Sequence, residues 1–155
     1  MSDFRLELKV PPVMLALLFA CAMGFVAWIC PWATVEIPQR IFLALGIWGI
    51  GLALIIAGAA TFISAKTTVN PFTPELAISM VTSGIYRLSR NPMYVGILLI
   101  LAAWAVYLAN ITSAFWLPLF VGYMNRFQII PEENALLTKF GGAYVSYLKT
   151  VRRWI

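Results

Sequence analysis

Two short stretches concentrate the side chains that are capable of chemistry. The first reads Gly84-Ile85-Tyr86-Arg87-Leu88-Ser89-Arg90-Asn91-Pro92-Met93-Tyr94 and sets two arginines and two tyrosines around an Asn-Pro turn. The second opens with Glu132-Glu133 and runs on to Arg152-Arg153. A site holding guanidinium and carboxylate groups together suits a zwitterion, because each charge is met by a charge-assisted hydrogen bond. Each stretch also has a plainer reading. Tyrosines at headgroup depth with arginines on phosphates form an ordinary interface belt, and paired acids suit the positive end of any helix dipole. The chain has no histidine. That excludes Ser-His-Asp and Cys-His nucleophiles and histidine-ligated zinc or haem. Carboxylates, arginines, tyrosines and backbone groups are left to act, and no metal site is expected.

The elements that must position these residues are apolar. Of 155 residues, 62% are hydrophobic and 11% charged, against roughly 25% charged in a soluble domain. So few charges cannot cover a water-soluble globule, and the chain reads as an all-α integral membrane bundle. A spanning helix needs about 20 mainly apolar residues, and four stretches approach that: 10–29, 41–64, 93–109 and 112–130. Only Asn110 and Ile111 separate the last two, which predicts a C-terminal helical hairpin. Ala20-Cys21-Ala22 imitates a signal-peptide cleavage site, but the apolar run continues to Ile29 and acids interrupt the segment before it. Cys21 and Cys30 lack metal-ligand or disulfide spacing and read as small buried apolar residues.

Charge sets the orientation. With four spans, all 11 basic residues except Arg40 fall on one side of the bilayer. Positive residues gather on the cytoplasmic side, so both ends of the chain are expected there, in a bacterial inner membrane. The net charge of +5 forms no stripe and suits anionic headgroups rather than nucleic acid. Along the second span Gly49, Ala53 and Ala57 make a small-residue face, read as internal packing ahead of a dimer contact. The oligomeric state stays open.

The whole chain reads as one membrane domain whose site segments are 66–94 and 131–153. The first is a long, largely non-helical stretch, too rich in apolar side chains such as Ile78, Met80, Val81 and Ile85 to be disordered. Ordered backbone of that kind beside a membrane lines a cavity. In the second, Pro131 and the acids after it predict a helix start. Gly141-Gly142 divides two amphipathic pieces, one with Leu136, Leu137 and Phe140, the other with Tyr144, Tyr147, Leu148 and Val151. Such pieces lie in the interface.

The run from Gly84 to Gly96 resembles the G-x-Y-R-x-x-R-H-P-x-Y-x-G signature of the isoprenylcysteine carboxyl methyltransferase and phospholipid methyltransferase superfamily. Glu132-Glu133-x-x-Leu136, Phe140-Gly141-x-x-Tyr144-x-x-Tyr147 and Val151-x-Arg153 resemble the family's later motifs, in the same order. The resemblance implies S-adenosylmethionine as methyl donor, bound without a Rossmann fold. It places Met80, Val81, Tyr86, Arg90, Asn91, Pro92, Met93, Tyr94 and Glu132 at the cofactor. It also implies that Arg126, Arg152 and Arg153 steer the acceptor, with Glu133 as their orienting partner. Asn91 stands where the family has histidine; it keeps a donor and an acceptor but cannot titrate.

The acceptor implied is lipid-like or prenylated and enters from the bilayer, most like the carboxylate of a prenylated cysteine. A phospholipid amine is the alternative, and a non-catalytic accessory protein with a degenerate site is a rival from another class. A transporter or channel subunit would be expected to carry intramembrane charges, which the spans lack apart from Arg126 near the end of the last.

Overall fold

The computed structural model describes residues 7–65 and 80–155. Arg5, Lys66, Ile78 and the rest of the segment 66–79 lie outside the described residues.

Helix α1 (Pro12–Ile29) begins with proline in its first turn, where a missing N–H costs nothing. A single 3₁₀ turn, Pro31–Ala33, leads towards α2 (Arg40–Ser64). These two helices are long and apolar enough to cross a membrane. Only 17% of the residues in the apolar window of either are buried, so side chains such as Leu17, Trp28, Phe42 and Ile56 point outward. A core helix of a soluble protein would bury them; an apolar surface left outward in this way suits lipid.

After a second 3₁₀ turn, Gly84–Arg87, comes α3 (Pro92–Leu108). It is shorter, apolar, and packed mainly against α2. The two backbones nearly touch: a Cβ on Gly96 would lie 2.5 Å from the Gly51 carbonyl oxygen. In lipid, where apolar burial adds little, such close van der Waals approach is what joins helices. The packing face of α2 is therefore Ala44, Gly51 and Gly58, which are buried. The expected inner face of Gly49, Ala53 and Ala57 is turned outward instead. Small residues occur on both sides of this helix, and composition alone does not say which side meets Gly96.

Helix α3 stops at Ala109, which adopts a left-handed conformation (φ 50°). Asn110 then caps the short α4 (Ile111–Ala114), and α5 (Trp116–Tyr123) follows. A π-helical turn, Met124–Ile129, joins α5 to α6 (Ile130–Phe140) with helical backbone throughout. Pro131 lies in the first turn of α6 with Glu132 and Glu133, as expected, although the backbone before it is already helical. Proline removes the N–H that would bond four residues back, to Phe127; the Phe127 carbonyl instead accepts Leu8 N–H at 3.0 Å. Gly141 (φ 54°) turns the chain into α7 (Gly142–Thr150).

Leu15 and Met23 from α1, Leu101 and Ala105 from α3, Phe120 from α5, and Met124 and Ile129 from the π turn form the core. Among the described residues no strand forms. Cys21 is exposed and Cys30 half-buried, so the reading of both as buried fails: Cys21 sits on the outward face of α1.

Candidate active site

The start of α3 and the start of α6 come together. Tyr94, in the first turn of α3, donates its hydroxyl to Glu132 Oε1 at 2.6 Å. The Gln128 side-chain amide donates to the same oxygen at 2.7 Å and lies 3.4 Å from the Tyr94 hydroxyl. Gln128 is buried. Being four residues before Glu132, it shares that residue's helix face.

Glu133 points the other way, into arginines. Arg90 Nη2 reaches Oε1 at 2.7 Å, and Arg153 reaches Oε2 at 2.6 Å through Nη2 and Oε1 at 3.1 Å through Nε. The Arg90 and Glu133 side chains are only 11% and 14% exposed. Arg90 also strings the C-terminal strand of chain onto α3. Nη1 donates to the carbonyls of Leu148 (3.2 Å) and Val151 (2.8 Å), and its main-chain N–H donates to that of Arg152 (2.9 Å). Asn91 contributes to the same strap, donating Nδ2 to the Arg153 carbonyl at 2.9 Å. The Tyr147 hydroxyl donates to the Tyr86 carbonyl at 2.6 Å.

Electrostatics separate the two acids. Loss of hydration pushes the Glu132 carboxyl from its ordinary 4.5 up to about 7. The Tyr94 and Gln128 hydrogen bonds pull it back down, and the neighbouring Glu133 charge adds to the rise. Burial also raises the Tyr86, Tyr144 and Tyr147 hydroxyls, the last to about 12, so all three stay protonated donors at neutral pH.

Most of the expected site residues gather here. Pro92 is buried in the first turn of α3, and Met93 packs beside Gly58. Met80 and Val81 stand partly buried ahead of the 3₁₀ turn. Two arginines do not join. Arg126 is exposed, lies over the Phe127 ring and pairs with Glu7 at 2.8 Å. Arg152 is exposed and engages Arg90 through its carbonyl alone. Glu133 is thus the orienting partner of Arg153 and Arg90, but not of Arg126 or Arg152. Gln128 was hidden from the sequence reading because it fell inside an apolar stretch counted as a span. Its one signal is being a polar residue there, four before an acid.

The donor set matches S-adenosylmethionine in kind. Tyrosines can face an adenine or a sulfonium, a carboxylate of raised pKa gains from a nearby cation, and a guanidinium suits a carboxylate. Arg90 Nε is buried and without a hydrogen-bond partner among the described residues, a polar group of the sort that a bound ligand would complete.

Fold and site together define a helical membrane protein with a tyrosine–carboxylate–arginine cluster at one end of its bundle. Residues 39–143 match the family described as phospholipid methyltransferase, and the chain belongs to that family, which implies methyl transfer at a membrane. It is also 43% identical over 63 residues to an uncharacterized protein of Haemophilus influenzae, covering 41% of this chain and 100% of that relative. No solved structure matches the chain.

Proposed function

We propose that the protein transfers a methyl group from S-adenosylmethionine to a lipophilic acceptor entering sideways from the bilayer. The observation that carries this reading is the 2.6 Å bond between Tyr94 of α3 and Glu132 of α6. It joins two motif segments that lie 38 residues apart and backs them with the Arg90–Glu133–Arg153 cluster. In this reading α1, α2, α3 and the α4–α5 stretch cross the membrane, the last two as a hairpin. Both ends of the chain then face the cytoplasm, in a bacterial inner membrane.

S-Adenosylmethionine supplies a methyl group already activated on a positive sulfur. The protein's task is to hold the acceptor close and in line with it, away from water. Tyr86, Tyr94, Met80, Val81, Asn91, Pro92 and Met93 line the cofactor's side of the site. Arg90 offers Nε, unpartnered among the described residues, to the cofactor's carboxylate, and Glu132 faces the positive end.

Charge favours an amine over a carboxylate as the acceptor's nucleophile. Arg90 and Arg153 share the one carboxylate of Glu133, and the net positive charge they keep suits the cofactor's carboxylate, while Glu132 presents a carboxylate that has no cationic partner among the described residues. A prenylcysteine carboxylate would meet like charge there; an ammonium group would meet its complement. The test is methyl transfer by the full chain in vesicles containing both ethanolamine phospholipid and prenylcysteine, with labelled donor. Label in the ethanolamine lipid is expected. Label in the prenylcysteine alone would reverse the acceptor assignment, and label in neither would sink the enzyme reading.

A further inference from the structure

Both donors that reach Glu132 go to one oxygen. The Tyr94 hydroxyl and the Gln128 amide each bond Oε1, and among the described residues no donor is aimed at Oε2. A carboxylate deprived of part of its hydration gains from every donor it meets, so an oxygen left open is where a ligand's N–H or a proton belongs. Glu133 cannot serve in this way, since both its oxygens are engaged by Arg90 and Arg153.

We propose that Gln128 is a positioning residue: with Tyr94 it saturates Oε1 of Glu132 and so leaves Oε2 to take the proton of a lipophilic ammonium group. This rests on the methyltransferase reading and names the step that an amine acceptor adds to it. An N–H bond of the ammonium breaks as an O–H bond forms at Oε2. The freed nitrogen lone pair then forms the C–N bond while the S–C bond breaks, its electron pair leaving on sulfur. Oε2 returns the proton to water before the next turnover.

The choice of glutamine has a chemical reason. A base works best when its pKa lies near the working pH. A lysine or arginine at position 128 would orient the carboxylate equally well but would hold it ionised and weakly basic. The neutral amide gives direction while leaving Glu132 at about 7. The titratable groups around this carboxyl are consistent with that value. Tyr94 faces it from α3, Tyr86 from the 3₁₀ turn, Tyr144 from α7 and Glu133 from its own helix. None of them is a cation.

The test uses the full chain carrying Gln128→Met, which keeps length without a donor, and Gln128→Asn, which keeps polarity but falls short. Infrared titration follows the Glu132 carboxyl directly, its band assigned by its loss in Glu132→Gln. Transfer to ethanolamine phospholipid vesicles is followed against pH in parallel. Both the infrared midpoint and the acid limb of the amine reaction should move upward together, by about one pH unit for one lost hydrogen bond to a charged group. Calorimetric affinity for S-adenosylmethionine, measured well above both midpoints, should change less than about threefold, the scale of half a pKa unit. An infrared midpoint that stays put would overturn the role of Gln128. A shifted midpoint with an unmoved rate limb would overturn Oε2 as proton acceptor. Absence of any cofactor heat in the unaltered protein would instead overturn the methyltransferase reading, and this assignment with it.

Discussion

The two ends of α3 are closed by different chemistry. At the far end Asn110 donates to the Cys30 carbonyl at 2.8 Å and accepts Ser113 N–H at 3.2 Å, while Ser113 Oγ donates to the Met23 carbonyl at 2.8 Å. All these groups are neutral and all but the half-buried Cys30 are buried, and they tie α1 and the loop after it to the turn between α3 and α4. At the near end, Tyr94, Glu132, Arg90, Glu133 and Arg153 do comparable tying with charges. There, among the described residues, no donor reaches one oxygen of Glu132, and a buried N–H of Arg90 has no partner. A satisfied neutral cluster holds a fold together and asks for nothing more. A charged cluster left incomplete is the arrangement of a binding site.

The largest expected effect is at the charged end. Glu133→Ala strands two arginines, one of them nearly buried, and should destabilise the protein by about 3 kcal/mol. Because the C-terminal strap hangs on Arg90 and Arg153, trypsin should then cut at Lys149 and Arg152 far faster. Unchanged melting together with an uncut tail would show that the cluster is not what holds the strap.

Asn110→Ala should cost about 2 kcal/mol by orphaning the main-chain groups it serves, with cofactor affinity unchanged. A loss of affinity there would break the division of labour between the two ends.

A comparable effect follows from pH. Glu132 has its carboxyl raised from 4.5 to about 7, so the folded state holds the proton more tightly than the unfolded chain. The stability this gives is fully present below about pH 4.5 and is lost as pH rises through 7. Thermal melting of the unliganded protein should fall between pH 5 and 8, on the order of 2 kcal/mol after allowing for partial exposure, and Glu132→Gln should flatten the curve. A flat curve in the unaltered protein would mean that the carboxyl is not desolvated.

The smallest effect belongs to Arg126→Ala. Its pair with Glu7 is exposed, so stability should change by no more than about 0.5 kcal/mol.

Much of this was legible in the sequence, and the gaps have physical causes. The long apolar runs marked α1, α2 and α3 to within two residues, because a membrane demands uninterrupted hydrophobicity. The hairpin expected between them placed the arginine-tyrosine stretch and the Glu132-Glu133 pair on the same part of the molecule. Spacing along the chain could not say which arginine faces inward. Arg126 precedes Glu132 on a nearly continuous helix, yet the π turn leaves it with Glu7 while Gln128 takes the inner position. Pro131 did mark the first turn of α6, but spacing could not show that the carbonyl it frees is satisfied by Leu8, a residue more than a hundred positions away. The face of α2 was misread because its partner, Gly96, lies on another helix.

Titration of S-adenosylmethionine into the detergent-solubilised full chain, followed by calorimetry, tests most directly whether the near end of α3 is one cofactor site. Saturable binding is expected, weakened about tenfold or more, some 1.4 kcal/mol, by either Tyr94→Ala or Glu132→Gln. No saturable heat in folded protein, or an affinity unchanged from the unaltered protein in both variants, would contradict it.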